Sequence, residues 1–514
     1  MMKNMIKSIF TVVLSFLLLL TGCSSGEKNA TNEGVSQEKT GGTLNISLDS
    51  DPPKLDPSLS TALVDRMVFQ SIFDKLVDID ENGEIIPMLA KEWKISEDLR
   101  TYTFVLQQGV KFHDGTDFNA EAVKFNFERN MDQGSPRKNE LKEVSKVSVV
   151  DPYTVQVELK RPFAPFLSIL ADRAGMMVSP AAVKKYGDDF SNHPVGTGPF
   201  VFKERVKGSF ITLEKNTNYW KNGMPKLNKI VYKIITDANV ALINLKSGQV
   251  DMTNRFPFKE IEKSKNDPNF RVISEPGQGY QGIHLNVSKP PFDQKELRQA
   301  VDLLIDRDAI VNVLLSGAGT PAHSPFSPTS FAYGESDRYE KPDLQKAREL
   351  LKKAGKPNGF SFTLKIGTSP LNQQVGQMIQ TMLKPAGIQV NLEKVEFGTL
   401  LDQTQKGNYE AAAIGWSGRP DPDQNIYDFY VTGGPQNYSF YSNAEVDRLL
   451  DEARAELDEA KRKTIYDQAM KIINEEVPYI YLYHDHNVFG ISKSVDGFQY
   501  VPDGLIRTVG ISKR

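Results

Sequence analysis

The chain holds 514 residues, 39% apolar, 25% charged and 10% aromatic, with a formal net charge of −3 and one cysteine. At roughly 100–200 residues per domain, this predicts two or three domains of ordinary globular composition, neither disordered nor collagen-like. The near-neutral balance argues against a nucleic-acid partner, which needs clustered Lys and Arg. A single cysteine excludes an intrachain disulfide, a Cys-based zinc knuckle and a CxxC redox pair.

At the N-terminus, Lys3 and Lys7 flank the start of an apolar run over residues 9–20, interrupted by Thr11 and Ser15. A bilayer span needs about 20 apolar residues, so this run suits the h-region of a secretory signal instead. Leu20-Thr21-Gly22-Cys23 then resembles a bacterial lipobox, whose cysteine is diacylated and becomes the first mature residue. The alternative is a plain signal peptide with a chance cysteine. The absence of any other cysteine favours anchoring, and two acyl chains suffice for stable attachment. Residues 1–22 are therefore expected to be a lipoprotein signal peptide, and 23–41 a lipidated Cys23 with a polar tether of roughly 25 Å r.m.s. span. This places the body at the cell membrane, lipid-anchored on the extracytoplasmic face.

In the body, residues 43–48, 100–106 and 153–159 alternate polar and apolar positions, as half-buried strands do. A helix is predicted over 119–131, with Ala120, Val123 and Phe127 at helical spacing and Asn119 as its N-cap. Segments 297–315, 344–353, 446–457 and 461–473 carry the same period. Residues 360–366 read as a strand, 373–384 as a helix stopped at Ala386-Gly387, and 388–395 as a second strand. That β-α-β order implies a parallel pair in an α/β sheet.

Chemistry-bearing motifs are few. His484-Asp485-His486 places two imidazoles at a spacing that suits a metal on one strand face, but no third ligand is evident; a polar strand end after Tyr479-Ile-Tyr-Leu-Tyr483 is the plainer interpretation. Gly415-Trp-Ser-Gly-Arg419 misses a nucleophile elbow because Arg419 stands where glycine is required. Asp421-Pro-Asp423-Gln-Asn425 spaces oxygens as a calcium loop does, but Ile426 and Thr432 occupy the positions that need Gly and Glu. Gly196-Thr-Gly198 lacks the lysine of a phosphate loop and is a turn closed by Pro199. No catalytic set and no cofactor motif emerges, so a binding protein is expected rather than an enzyme.

Leu89-Ala-Lys-Glu-Trp93, Glu97-Asp-Leu-Arg-Thr-Tyr-Thr-Phe104, Gly109-Val-Lys-Phe-His-Asp-Gly-Thr116 and Phe118-Asn-Ala-Glu-Ala-Val123 together form a long and specific signature. So do Val195-Gly-Thr-Gly-Pro-Phe200, Asn218-Tyr-Trp220, Lys289-Pro-Pro-Phe292, Arg298-Gln-Ala300 and Tyr441-Ser-Asn443 after it. The chain from Gly42 onward resembles the family-five extracytoplasmic solute-binding proteins, which serve ABC importers of peptides, nickel chelates and related solutes. The resemblance implies an α/β, two-lobed periplasmic-binding fold of type II, the large peptide-binding class, with an extra third domain. It places lobe I at 42–76, 195–283 and 487–514, the extra domain at 77–194 and lobe II at 284–486, with two chain crossings as a hinge. His113 and Asp114 then fall in the extra domain as turn residues. Implied partners are a peptide or peptide-like solute, ABC permease transmembrane subunits with a cytoplasmic ATPase, and the membrane through the lipid anchor; the protein is expected to be a monomer.

In peptide-binding relatives, the loop after the Gly-Trp strand carries an aspartate that pairs with the peptide ammonium. Here the equivalent stretch is Trp416, Ser417, Gly418 and Arg419, with Arg419 at the aspartate's place. A guanidinium repels an ammonium and takes a carboxylate through a bidentate fork. A small carboxylate-bearing, glutathione-like peptide is thus expected, unless Arg419 pairs internally with Asp421 or Asp423. Those two aspartates are also candidate ligands for a solute ammonium, and Trp416 is either a cover for the solute or core. Tyr280 and Gln281 on the crossing strand, and Leu55 and Asp56 in an early cleft loop, complete the candidate site. A nickel-chelate or other small-solute receptor on the same fold is the alternative function.

Overall fold

The computed structural model describes residues 41–337 and 341–514. Cys23, the leader and the tether up to residue 40 lie outside the described residues, as do 338–340. The body is mixed α/β, and its organising feature is one eleven-stranded sheet.

Strand Thr43–Leu48 buries Leu44, Ile46 and Leu48, as its alternation demands. It pairs in parallel with Lys229–Ile234 and Met252–Thr253. Phe210–Lys215 and Phe200–Val206 extend this half antiparallel. In the other half, Ser361–Gly367 pairs in parallel with Gln389–Val395, register Phe362 to Val390, and with Ala411–Ala413. The predicted β-α-β unit is present: helix Pro370–Leu383 joins the parallel pair, and Gly387 ends it at φ +78°.

Two long strands, Phe270–Leu285 and Tyr479–Ser492, run antiparallel and carry the sheet from one half to the other. Met252–Thr253 attaches beside Gly490 and Ile491, while Ala411–Ala413 attaches beside Ile283 to Leu285. Each half thus holds an opposite end of the same strand pair. Between those ends the register slips, once between Pro276 and Tyr280 and again between Gln281 and Gly282. Two separate apolar cores flank the crossing, one around Leu44, Phe69, Ile230 and Phe489, the other around Leu285, Val301, Leu364 and Ile379.

A second sheet of four strands, ordered Ala90–Ile95, Thr101–Leu106, Thr154–Leu159 and Val144–Asp151, stands apart. Both inner strands alternate strictly between covered and open positions, with Tyr102, Phe104, Val155 and Val157 inside. Helix Ala120–Met131 packs Val123 and Phe127 into that core, and Asn119 Oδ1 accepts from the Ala122 N–H as the expected N-cap. His113 sits in a tight turn: Nε2 meets the Gly198 carbonyl at 2.9 Å, and Asp114 Oδ1 caps Thr116. The signature stretch and the Gly196-Thr-Gly198 turn therefore touch, and both glycines run too close to Ile72 for a Cβ.

One predicted helix is corrected. Residues 297–315 form two helices, Lys295–Leu303 and Arg307–Leu314, because Asp306 accepts from the Ala309 N–H and starts a new helix. Apolar periodicity persists through such a break, so it does not reveal the cap. Helices Ala444–Ala455 and Glu459–Glu476, capped by Asn443 and Asp458, cover an aromatic core of Tyr280, Tyr430, Tyr479 and Tyr481.

Candidate functional site

The loop after Ala411–Ala413 is held from two sides. Trp416 exchanges both backbone hydrogen bonds with Tyr280, at 2.8 and 2.9 Å. Asn425, at the start of helix Asp423–Tyr430, accepts from Trp416 Nε1 at 2.9 Å and the Arg419 N–H at 2.8 Å, and donates to the Arg419 carbonyl at 2.8 Å. Gly418 adopts φ +74°, and a Cβ there would overlap the Gln278 backbone. The loop is thereby locked with the Arg419 guanidinium 4.5 Å from the Trp416 ring centre, donating to Ser417 Oγ at 3.2 Å and the Gly418 carbonyl at 2.6 Å.

Three further arginines gather at the same place. Arg66 Nε, on helix Leu63–Ile72, donates to Asp172 Oδ1 at 2.9 Å, and Arg419 Nε lies 3.6 Å from Asp172 Oδ2. Arg173 and Arg137 both donate to the Ser60 carbonyl at 3.2 Å, and Arg137 also to Glu140 Oε1 at 2.6 Å. All four guanidiniums are buried, facing Asp172 and Glu140 as direct counter-charges. The Nε atoms of Arg137 and Arg173 are buried with no hydrogen-bond partner among the described residues. Burial, then repulsion from Arg66 and Arg173, lowers the Arg419 pKa to about 9 despite Asp172. Burial likewise lowers Arg173 to about 10. Burial alone would raise Asp172, yet Arg66, Arg173, Arg419 and Arg137 hold it well below the carboxylate range. Asp65, anchored to Ser60 Oγ at 2.7 Å, is pushed up by burial. The cluster is thus short of negative charge, and an added carboxylate would satisfy it.

The sequence-selected residues divide into two groups. Trp416, Ser417, Gly418 and Arg419 form the loop itself, and Tyr280 and Gln281 run alongside it. Tyr280 is buried among Tyr479 and Tyr481. Gln281 Nε2 donates to Asp485 Oδ2 at 2.8 Å. Asp421 is held bidentately by Arg462 at 2.6 and 2.9 Å, and Asp423 by Arg454 at 2.8 and 2.9 Å. Arg419 therefore pairs with Asp172, not with either of them. Leu55 is buried, its N–H donating to Ser191 Oγ, while Asp56 is gripped by Arg129 at 2.5 and 2.9 Å. His484 and His486 have separate partners: Asp337 and the Gly279 carbonyl for one, Ser274 and Thr320 for the other. Among the described residues no three His, Cys, Asp or Glu side chains converge as metal ligands.

Arg66, Arg137, Asp172 and Arg173 belong to no sequence motif. Three of them carry a signal in the sequence: Asp65-Arg66 stands between Leu63-Val64 and Met67-Val68-Phe69, and Asp172-Arg173 between Leu170-Ala171 and Ala174 to Val178; Arg137, in the polar stretch 135–140, carries none. Charges inside apolar runs are buried charges, and buried charges require a reason. Two hollows on the surface, one near Thr432 and Tyr441 and one near Ser274 and Tyr500, share no residue with this cluster.

The comparisons agree with this architecture. Residues 84–438 match the model of the bacterial extracellular solute-binding proteins, family 5 Middle. The glutathione-binding protein GsiB of Pectobacterium atrosepticum is 35% identical over 473 residues, covering 90% of this chain and 92% of that protein. The ABC transporter-associated periplasmic binding protein DppA of Helicobacter pylori, solved with the peptide STSA, superposes at TM-score 0.83. It is 30% identical, covering 92% of this chain and 98% of its own. The oligopeptide-binding protein AppA of Bacillus subtilis, solved with a nonapeptide, superposes at 0.81 with 26% identity, covering 93% and 100%. No described helix is long and apolar enough to cross a membrane. This chain belongs to the family-5 bacterial extracellular solute-binding proteins, the two-lobed binding components of ABC importers.

Proposed function

We propose that this protein captures a small peptide or peptide-like solute bearing at least one free carboxylate, glutathione-like in size, and delivers it to its permease and ATPase. The buried cluster of Arg66, Arg137, Arg173 and Arg419 carries this reading, because its guanidiniums outnumber the carboxylates that touch them. A carboxylate arriving there gains charge-assisted, bidentate hydrogen bonds that water would otherwise make. Trp416, Ser417 and Gly418 supply the adjoining wall, with Tyr280 and Gln281 behind it. Asp421 and Asp423 shape the loop from internal ion pairs.

The domain division expected above supports a closing motion. Lobe I (42–76, 195–283, 487–514) and lobe II (284–486) would turn about the slipped register of the two long strands. The extra domain (77–194) contributes Arg137, Asp172 and Arg173. The solute touches groups of all three only when they are together, so it shifts the population toward the closed form. No step of this process requires covalent chemistry. Cys23 would hold the body at the extracytoplasmic face by its acyl chains.

A thermal-shift screen against di-, tri- and oligopeptides, glutathione and nickel chelates tests this. A cognate solute at 100 times its Kd stabilises by about 2.7 kcal/mol. A shift given by nickel chelates alone, or by none of the peptides, would overturn the proposal.

A further inference from the structure

A carboxylate pole leaves the opposite charge of a peptide without a partner, and one side chain outside the arginine cluster meets its needs. Asp485 lies on Tyr479–Ser492, at the slip in its pairing with Phe270–Leu285. Its Oδ2 accepts from Gln281 Nε2 at 2.8 Å, and its Oδ1 has no donor among the described residues. Among the described residues no cation forms an ion pair with it. Arg255, whose field reaches it, is itself paired to Asp49 at 3.0 Å, and His484 turns to Asp337. The carboxyl is enclosed by protein atoms, while the residue as a whole stays partly open to solvent. Burial pushes its pKa up, and Gln281 and Arg255 offset only part of that. An enclosed carboxylate without a cation is costly to keep unless something else pairs with it.

Asp485 also lies beside the Trp416–Arg419 loop. A Cβ at Gly279 would stand 3.4 Å from Asp485 Oδ2, 3.4 Å from the Ser417 carbonyl carbon and 2.8 Å from the Trp416 oxygen. Glycine at 279 lets the carboxylate and the loop approach each other, and Ser417 Oγ in turn receives Arg419 Nη1 at 3.2 Å. Laid end to end with the span of about 3 Å across Ser417 from its carbonyl carbon to Oγ, these contacts bound the distance from Asp485 to the Arg419 guanidinium at roughly 13 Å, four extended residues at about 3.3–3.6 Å each.

We infer that Asp485 is the ammonium-binding residue of this site, so that the solute reaches from the arginine cluster to Asp485, is zwitterionic and is no longer than about four residues. This rests on the carboxylate reading of the cluster. It moves the counter-charge for the amino group from the Gly-Trp loop, where Arg419 now stands, to the crossing strand.

Calorimetric titration with glutathione, Ala-Ala and Ala-Ala-Ala, each free, N-acylated and C-amidated, tests it. In the wild-type protein the tightest-binding free peptide is expected to lose at least tenfold in affinity on N-acylation. Asp485→Asn is expected to lose a similar factor for the free peptide and little for the acylated one, since the two changes remove the same interaction. Equal affinities of free and N-acylated peptide for the wild type, or undiminished binding by a folded Asp485→Asn, overturn the assignment. The wild-type comparison stands even where the variant fails to fold. C-amidation reports on the arginine cluster separately. Loss on amidation alone keeps the cluster and removes Asp485, loss on acylation alone does the reverse, and no binding by any of the three peptides overturns both.

Discussion

Arg419 and Asp172 meet at 3.6 Å, joining the loop after Ala411–Ala413 to a turn that precedes it by almost half the length of the chain. Neighbouring contacts reinforce the junction: the Ala164 N–H donates to the Arg454 carbonyl at 2.9 Å, and Arg161 reaches Asp451 at 3.2 Å. The positive pole of the site is therefore assembled across this junction, and its components are separable by mutation.

Arg419→Ala removes one guanidinium and leaves Asp172 paired with Arg66. The variant is expected to fold and to bind a free-carboxylate peptide at least tenfold more weakly, while a C-amidated peptide is affected little. Calorimetry on both ligands checks this, and unchanged affinity for the free acid would remove Arg419 from the site.

Asp172→Asn takes away the carboxylate that Arg66 and Arg419 share. Buried guanidiniums without a counter-charge cost about 3–5 kcal/mol, so the urea midpoint should fall accordingly. A carboxylate-bearing ligand should recover part of that loss, stabilising the variant by more than it stabilises the wild type. An unaltered midpoint would show that the cluster tolerates its own charge.

Gly418→Ala forces a Cβ into the Gln278 backbone at φ +74°. Strain of this kind costs on the order of 1–3 kcal/mol and displaces Arg419 with the loop. Both melting temperature and solute affinity should drop; retention of full affinity would mean that the loop is not what aims the arginine.

His284 provides the pH test. Burial lowers its pKa to about 3, and among the described residues its polar contact is neutral, Nδ1 lying 3.2 Å from Ser439 Oγ. The unfolded chain takes up a proton near pH 6.5, whereas the folded chain does not until about pH 3. Stability is therefore fully present above pH 6.5 and declines as pH falls toward 3, by up to about 1.4 kcal/mol per pH unit. Urea midpoints of wild type and His284→Gln across that window should converge at low pH; parallel curves would rule out the histidine as the source.

Local order was legible because its causes are local. Alternation in Thr43–Leu48, the Asn119 cap and the Gly387 stop each depend on residues within a few positions, and the structure shows each in place. The cap at Asp306 is hidden in the sequence because the apolar period continues through it. The Gly-Trp loop and the place of Arg419 came from a resemblance in sequence. Which charges surround that arginine did not, since Arg66, Arg137 and the Asp172-Arg173 pair come beside Arg419 only through the packing of distant segments. Asp485, too, acquires its surroundings only where two long strands slip past each other. By itself the sequence determined the family, the element types and the sign of one side chain. The tertiary structure decided the excess of positive charge around it, because burial and long-range proximity, which set the cost of a charge, are properties of the folded chain alone.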